Sequence, residues 1–348
     1  MTSFFRGKTI LVTGATGSIG SEIVTQLLAG EPEAVRLFSR DEHKQFLVQQ
    51  RLDTEPRVRY FLGDVRDLPR LSRACEGVDY VFHCAAYKHV PFCEYNSFEA
   101  VKTNVIGTQN VVEAAILQGV KRVLLVSTDK AASPTSVMGA TKLLAEKLVT
   151  SAMQSRGRHS TLFSSVRFGN VIGSRGSVIP TFIAQILKGG PVTITDPNMT
   201  RFFLSIPRAV GLTFHAMEQM GNGELFILKM PVMRLGDLVD VLVEEVAPRF
   251  ERKSAEIERR VTGARPGERM HESLMTREEA QYATETDEMF VVHSPLRGPG
   301  EEEFRGLKAN LHASEYSSGD QKVLSRAEIS TLIKEYLDHQ RVPEAIPE

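Results

Sequence analysis

The sequence predicts an α/β fold built on a doubly wound parallel sheet. Three observations point to it. Short apolar runs recur through the first half of the chain and stop abruptly at Gly, Ser, Thr or Asp. Segments with apolar residues at helical spacing separate them. The first run, the first helical segment and the second run fit into about 30 residues, the length of a βαβ unit.

Each element follows from its own pattern. Thr9-Ile10-Leu11-Val12 is continuously apolar after its first residue, as a strand buried on both faces must be, and stops at Thr13-Gly14. After a glycine-rich turn, Ile19, Ile23, Leu27 and Leu28 recur at helical spacing, and Val35-Arg36-Leu37-Phe38 is the next strand. Val58 to Leu62 reads as a third strand ending at Gly63-Asp64, and Tyr80-Val81-Phe82-His83 as a fourth. Val123-Leu124-Leu125-Val126 ends at Ser127-Thr128, and Ser164-Ser165-Val166-Arg167 leads into Phe168-Gly169-Asn170. Helices are expected between them, notably Asn104 to Gln118 and Met138 to Ser155. In such sheets ligands bind outside the carboxyl ends of the strands, so the residues just after each run are the candidates for chemistry.

Beyond Gly173 the pattern loosens, with frequent Gly, Pro and Arg, and Leu225-Phe226-Ile227-Leu228 is expected to return a strand to the sheet. Ser325 with Glu328 makes a capping box for a last helix carrying Ile329, Leu332, Ile333 and Tyr336.

Bulk properties narrow the function. The chain has 348 residues, 42% hydrophobic and 24% charged, with a formal net charge of -1. That balance argues against a nucleic-acid or membrane-surface binder. Cys75, Cys84 and Cys93 are odd in number and lack metal-ligand spacing, so they read as incidental thiols in a reducing compartment, with no metal site. There is no targeting segment and no apolar run near the roughly 18 residues that span a bilayer. A soluble, cytoplasmic protein is expected.

Gly14-Ala15-Thr16-Gly17-Ser18-Ile19-Gly20 follows a strand and opens a helix within a βαβ unit. In that context the glycines let backbone approach a pyrophosphate, and the helix N-terminus supplies amides and positive potential. This is a dinucleotide site. At the end of the second strand stand Ser39-Arg40-Asp41-Glu42. Ser39 and Arg40 suit a 2′-phosphate, which favours NADP. In the alternative, Arg40 stacks on adenine, Asp41 serves the ribose and the cofactor is NAD. Asp64 is placed to touch the adenine. The expected division is a dinucleotide-binding domain over 1–172, with the strand near 225–228, and a smaller, mostly substrate-binding lobe over 173–348.

Ser127-Thr128-Asp129-Lys130 ends a buried strand, and Met138-Gly139-Ala140-Thr141-Lys142 opens the next helix. This region resembles the short-chain dehydrogenases, which carry Tyr-x-x-x-Lys here. The Lys is present as Lys142, but Met138 holds the Tyr position, and a thioether has no proton to exchange. The adjacent Asp129 and Lys130 supply what an epimerase does not need. One base and one acid at the strand end suit removal of a C5 proton and expulsion of a C6 hydroxyl.

With these motifs the chain resembles the UDP-N-acetylglucosamine 4,6-dehydratases, extended short-chain dehydrogenases of Rossmann type. The resemblance is carried by Gly14 to Gly20, Ser39 to Glu42, Gly63-Asp64-Val65-Arg66-Asp67 and Ala85-Ala86-Tyr87-Lys88-His89-Val90-Pro91. It continues through Ser127 to Ala131, Gly169 to Ser177, Met199-Thr200-Arg201-Phe202, Arg265-Pro266-Gly267-Glu268-Arg269 and Glu315-Tyr316-Ser317-Ser318. Many members are long membrane proteins, and this chain looks like the short, soluble polysaccharide-biosynthesis branch; the Tyr-to-Met change departs from the flagellin-sugar members but occurs in other branches of the family.

The resemblance implies NADP, a UDP-sugar substrate, a homo-oligomer and inversion at C5. It also implies roles. Thr128 bonds the sugar near C4, Lys130 takes the C5 proton, Asp129 protonates the departing C6 oxygen, and Lys142 holds the nicotinamide ribose and helps deprotonate O4. Val65, Ala85 and Ala86 would join the cofactor site. Lys88 and His89 would line the junction of nicotinamide and sugar, and Asn170, Arg175, Arg201, Arg265 and Glu268 would hold the UDP part. Asn104 reads as a structural residue near the site. The competing readings are a nucleotide-sugar epimerase or reductase, and a non-catalytic NADP-binding regulator.

Overall fold

The computed structural model describes residues 2–52, 55–221, 223–264, 267–295, 308–309 and 314–339. The chain divides into two units. The first comprises 1–168, 207–229 and 274–315, and the second 169–206, 230–273 and 316–348.

The first unit is built on a ten-stranded sheet. Strands β1 (Thr9–Thr13), β2 (Ala34–Ser39), β3 (Val58–Leu62), β4 (Tyr80–His83), β5 (Arg122–Val126) and β6 (Leu162–Arg167) lie in the order 3-2-1-4-5-6, all parallel. The chain reverses direction across the sheet between β1 and β4, which puts the topological switch point at their carboxyl ends. Ile10, Leu11, Val12, Phe82 and Leu124 are all fully buried, as a sheet covered on both faces requires. The fold is the doubly wound Rossmann type that the strand-helix alternation predicts.

Leu225–Leu228 pairs in parallel with β6. Beyond it the sheet continues through antiparallel Met289–Val292 and Ala283–Glu285 to Lys308–Ala309. These additions explain why 207–229 and 274–315 belong with the first unit rather than with the rest of the chain after residue 173.

The helices that matter to the site are α1 (Ser18–Ala29), α2 (Glu42–Leu52) and two segments near Asn104 and Met138. The expected helix from Asn104 begins earlier and changes its winding. Val101–Ile106 is a π-helix, followed by an α-helix over Gly107–Leu117. The segment from Met138 is a 19-residue α-helix, Val137–Ser155, capped by Ser136, whose hydroxyl accepts from the Gly139 amide at 3.2 Å.

The second unit has its own core. Ile179, Phe182, Ile186, Leu238, Leu242 and Val246 pack with Ile329 and Ile333 of the last helix, Arg326–His339. Leu332 and Tyr336 are partly buried against the same core. The capping box of that helix forms. The Ser325 amide donates to the Glu328 carboxylate at 2.8 Å, and the Glu328 amide donates to Ser325 Oγ at 3.4 Å.

Candidate active site

The glycine turn after β1 leaves no room for side chains. Gly14 has φ 65°, and a Cβ there would sit 2.7 Å from the Ala85 amide nitrogen. A Cβ on Gly20 would sit 2.4 Å from the Gly14 carbonyl oxygen. Helix α1 starts at Ser18-Ile19 with Gly17 at its N-cap, no side-chain cap and no acidic residue in its first turn. A tight turn against an uncapped helix N-terminus is the shape and polarity that a pyrophosphate needs. These residues fit a dinucleotide.

The end of β2 is tied to this turn, with Thr16 Oγ1 3.0 Å from Ser39 Oγ. Arg40 Nη1 donates to the Tyr87 hydroxyl at 2.8 Å, and the guanidinium lies over that ring at 4.9 Å. The same nitrogen is 3.9 Å from Asp64 Oδ2. Asp64 itself accepts from Arg66 at 3.0 and 2.7 Å. Burial opposes ionisation of Asp64, but the bonds from Arg66 prevail and hold its carboxyl below the usual range. Asp41 accepts from the Lys44 amide at 3.0 Å and pairs with the Lys44 ammonium at 2.8 Å, so its carboxylate caps the start of α2. Val65 is buried, and its carbonyl accepts from Asn110 at 2.9 Å.

At the end of β4 a buried chain of polar groups sets the backbone. His83 Nδ1 is 2.7 Å from Thr13 Oγ1, and Nε2 is 3.0 Å from Thr108 Oγ1. Burial pulls the His83 pKa down to about 3, so the ring is neutral at ordinary pH. Thr13 Oγ1 also accepts from the Ala85 amide at 3.3 Å, while Ala86 is exposed. Asn104, in the π-helix, holds the next residue by both ends. Its Oδ1 accepts from the Tyr87 amide at 2.8 Å and its Nδ2 donates to the Tyr87 carbonyl at 3.1 Å. Lys88 and His89, both exposed, line a cavity of about 410 Å3 together with Tyr87, Phe92, Cys93, Asn96 and Glu99.

Thr128, Asp129 and Lys130 follow the end of β5. Asp129 is buried, and its Oδ1 accepts from Thr128 Oγ1 at 2.8 Å and from Lys130 Nζ at 3.0 Å. Its Oδ2 is buried with no hydrogen-bond partner. Lys142 Nζ donates to the Val126 carbonyl at 2.7 Å, and burial lowers its pKa to about 8. Met138 is buried with Cys93 and Ala100, beside partly buried Tyr87, Val90 and Val137. It fills an apolar cluster and offers no hydroxyl.

One helical turn beyond Lys142, Glu146 binds Arg167 at the end of β6. Arg167 Nη2 donates to Glu146 at 2.6 Å and to Glu279 at 2.8 Å, and Nη1 donates to the Leu274 carbonyl at 2.8 Å. The guanidinium is fully buried, and its two carboxylate partners outweigh desolvation and raise its pKa.

The remaining site residues lie in the second unit. Asn170 Nδ2 donates to the Phe202 carbonyl at 3.3 Å, and Arg175 is exposed. Arg201 is buried and donates to the carbonyls of Thr200, Met270 and Arg269 at 2.8, 3.1 and 2.8 Å. It also lies 3.7 Å from Glu268 and from Glu272. Arg265 lies outside the described residues.

Tyr87 and Glu146 escaped selection from the sequence. The position of Tyr87 just after Ala85-Ala86 at a strand end was the available signal for the first. Nothing marks Glu146 as buried, because its partners lie 21 and, through Arg167, more than a hundred residues away. Among the described residues no group of His, Cys, Asp and Glu is arranged to hold a metal, and no helix is long and apolar enough to cross a membrane.

Comparison with known proteins gives concordant results. Residues 10–294 match the model of a family described as polysaccharide biosynthesis protein. An uncharacterized membrane protein of Methanocaldococcus jannaschii is 49% identical, covering 96% of this chain and 98% of its own length. A UDP-N-acetylglucosamine 4,6-dehydratase (inverting) of Campylobacter jejuni is 41% identical over 84% of this chain and 85% of that one. A UDP-glucose 4-epimerase of Rickettsia rickettsii is 37% identical over 94% and 96%. Among solved structures, Pen from Bacillus thuringiensis superposes with a TM-score of 0.88 at 46% identity, covering 95% of this chain and 98% of that one. The dTDP-glucose 4,6-dehydratase DesIV of Streptomyces venezuelae, solved with NAD and TYD bound, gives 0.67 at 25% identity over 75% and 86%. The glycine turn, the Asp129–Lys130 pair at the strand end and the extent of these matches agree: the chain belongs to the polysaccharide biosynthesis family of nucleotide-sugar dehydratases and epimerases, with the UDP-N-acetylglucosamine 4,6-dehydratases among its near relatives.

Proposed function

We propose that this chain converts UDP-N-acetylglucosamine to a UDP-2-acetamido-2,6-dideoxy-4-keto-hexose, using NADP held at the end of β1 and β2. The observation that carries the reading is the Asp129–Lys130 pair, 3.0 Å apart, with Asp129 buried and one carboxylate oxygen unpartnered. Moving one proton from Lys130 to Asp129 yields a neutral amine and a carboxylic acid together. The amine then takes the C5 proton and the acid gives its proton to the leaving C6 oxygen. The pair ends as ammonium and carboxylate, as it began, and no outside proton is needed.

The other residues divide the remaining work. A nicotinamide held there by the glycine turn, Ser39, Arg40 and Lys142 would supply the hydride chemistry between C4 and C6. Lys142 reaches from its helix to the Val126 carbonyl at the end of β5, and a pKa of about 8 lets its amine release and regain a proton near neutral pH. With Met138 unable to exchange a proton, Lys142 takes over deprotonation of O4 while holding the ribose. Thr128 orients Asp129 through its hydroxyl and bonds the sugar near C4. Lys88 and His89 border the sugar. Arg175 and Arg265 hold the diphosphate, and Asn170 and Glu268 the uridine side. Arg201, whose donors go to backbone carbonyls, braces the segment that carries Glu268. The commitment of Asp41 to capping α2 supports Ser39 and Arg40 as readers of a 2′-phosphate, hence NADP over NAD. The Campylobacter relative, named as inverting, supports inversion at C5.

The rickettsial relatives support a second reading, 4-epimerisation. Incubation with UDP-N-acetylglucosamine and NADP separates the two. Water elimination lowers the product mass by about 18 Da, whereas epimerisation leaves it unchanged. An unchanged mass with altered stereochemistry would refute the dehydratase reading.

A further inference from the structure

We propose that Tyr87 sets the cofactor preference by positioning Arg40, a step that rests on the dinucleotide reading above. Strand β1, which carries the glycine turn, lies between β4 and β2 in the sheet. Arg40 follows β2 directly and Tyr87 follows β4. Their contact therefore reaches across the strand end where the dinucleotide belongs.

The two partners differ in how firmly they are held. Tyr87 is fixed. Asn104 bonds both its amide and its carbonyl, and its ring packs beside Met138. The Arg40 side chain is half exposed, and a free arginine loses much rotamer freedom when it grips a ligand. The Tyr87 hydroxyl takes one Nη1 proton at 2.8 Å and the ring supports the guanidinium from one side, so that cost is met before the ligand arrives. The remaining N–H donors of the fork stay available to an anion.

The surrounding charges leave that donor set strong. Asp64, the nearest carboxylate at 3.9 Å, is already bonded to Arg66 at 2.7 Å. A ribose 2′-phosphate carries nearly two negative charges, while a 2′-hydroxyl carries none. A guanidinium held in place beside the ribose therefore helps NADP and does little for NAD.

Equilibrium binding of NADP and of NAD to four proteins tests this: the parent chain, Tyr87→Phe, Arg40→Ala and the double variant. Tyr87→Phe keeps the ring and both bonds to Asn104, so its thermal melting should match the parent. It should weaken NADP about three- to ten-fold, the range for one lost hydrogen bond, and leave NAD within about two-fold. In the Arg40→Ala background the same change should have no further effect on NADP. Equal losses for both cofactors would overturn the inference, as would an undiminished effect in that background. A parent that prefers NADP while Tyr87→Phe keeps the whole preference removes the inference alone. A parent that binds neither dinucleotide, or binds both equally, removes the 2′-phosphate reading and the inference together.

Discussion

Asp129→Asn isolates the acid from the base. Asparagine keeps an oxygen where Asp129 Oδ1 accepts from Thr128 at 2.8 Å and from Lys130 at 3.0 Å, so the turn should keep its shape. What it loses is the proton that Asp129 would deliver as the proposed acid. Loss of one general acid costs about 10²–10⁴ in rate, or roughly 2.7–5.4 kcal/mol of barrier. Lys130 should still work as a base. Its side chain is 31% exposed, so it can release its proton to water instead of to Asp129. The variant should therefore exchange the C5 hydrogen of UDP-N-acetylglucosamine with solvent deuterium near the parental rate. Loss of water should fall at least a hundred-fold. Mass spectrometry of recovered substrate and product in deuterium oxide reads both quantities in one experiment. If exchange and water loss fell together, the two residues would not hold separate roles. If water loss fell less than about ten-fold, Asp129 would not be the acid.

Three further outcomes follow from the same geometry. The rate of C4 oxidation should rise with pH through an apparent pKa near 8, because only neutral Lys142 accepts the O4 proton, and Lys142→Arg should remove that limb; a flat profile from pH 6 to 9 would exclude Lys142 as the base. Gly20→Ala should leave a folded protein that binds neither NAD nor NADP measurably, since its Cβ would press on the Gly14 carbonyl and open the turn; unchanged titrations would mean that the turn yields without cost. Arg167→Ala should lower stability in urea unfolding by about 3–5 kcal/mol, because Glu146 is left charged and buried, and a loss under about 1 kcal/mol would show that water reaches the carboxylate.

The parts of the fold that were legible in the sequence are those that announce themselves locally. Ile10, Leu11 and Val12 need no partner to read as a buried strand, and glycines at 14, 17 and 20 mark a turn into a helix. The strands Ala283–Glu285 and Met289–Val292 were not legible, since they are short, and only pairing with Leu225–Leu228 makes them part of the sheet. Arg167 was read as the end of a strand, yet it is the largest fully buried side chain, because its two carboxylates come from distant segments. Arg201 was selected by its motif as a contact for the nucleotide. Three backbone carbonyls account for its position inside the second unit, and no pattern of residue types encodes such partners. Arg40 was read from its place after β2. Its hold on a tyrosine 47 residues later depends on the strand order, which the sequence does not spell out.

The π-helix at Val101–Ile106 makes the site sensitive to chain length. Its hydrogen bonds reach five residues back, as from the Gly107 amide to the Lys102 carbonyl, so the segment carries one residue more than a regular turn. Deleting a single residue between Val101 and Asn104 would let the backbone close into an ordinary α-helix with its bonds intact. The extra residue is taken up within that one wide turn, so the segments on either side would keep their facing and the change would fall on Asn104 itself. Gly107–Leu117 and Ser97–Ala100 would stay in place, while Asn104, beside the deletion, would lose the wide turn that presents its amide to the Tyr87 backbone. The shorter helix would be the more regular one, and the protein carrying it would have lost the residue that clamps Tyr87 by both its amide and its carbonyl.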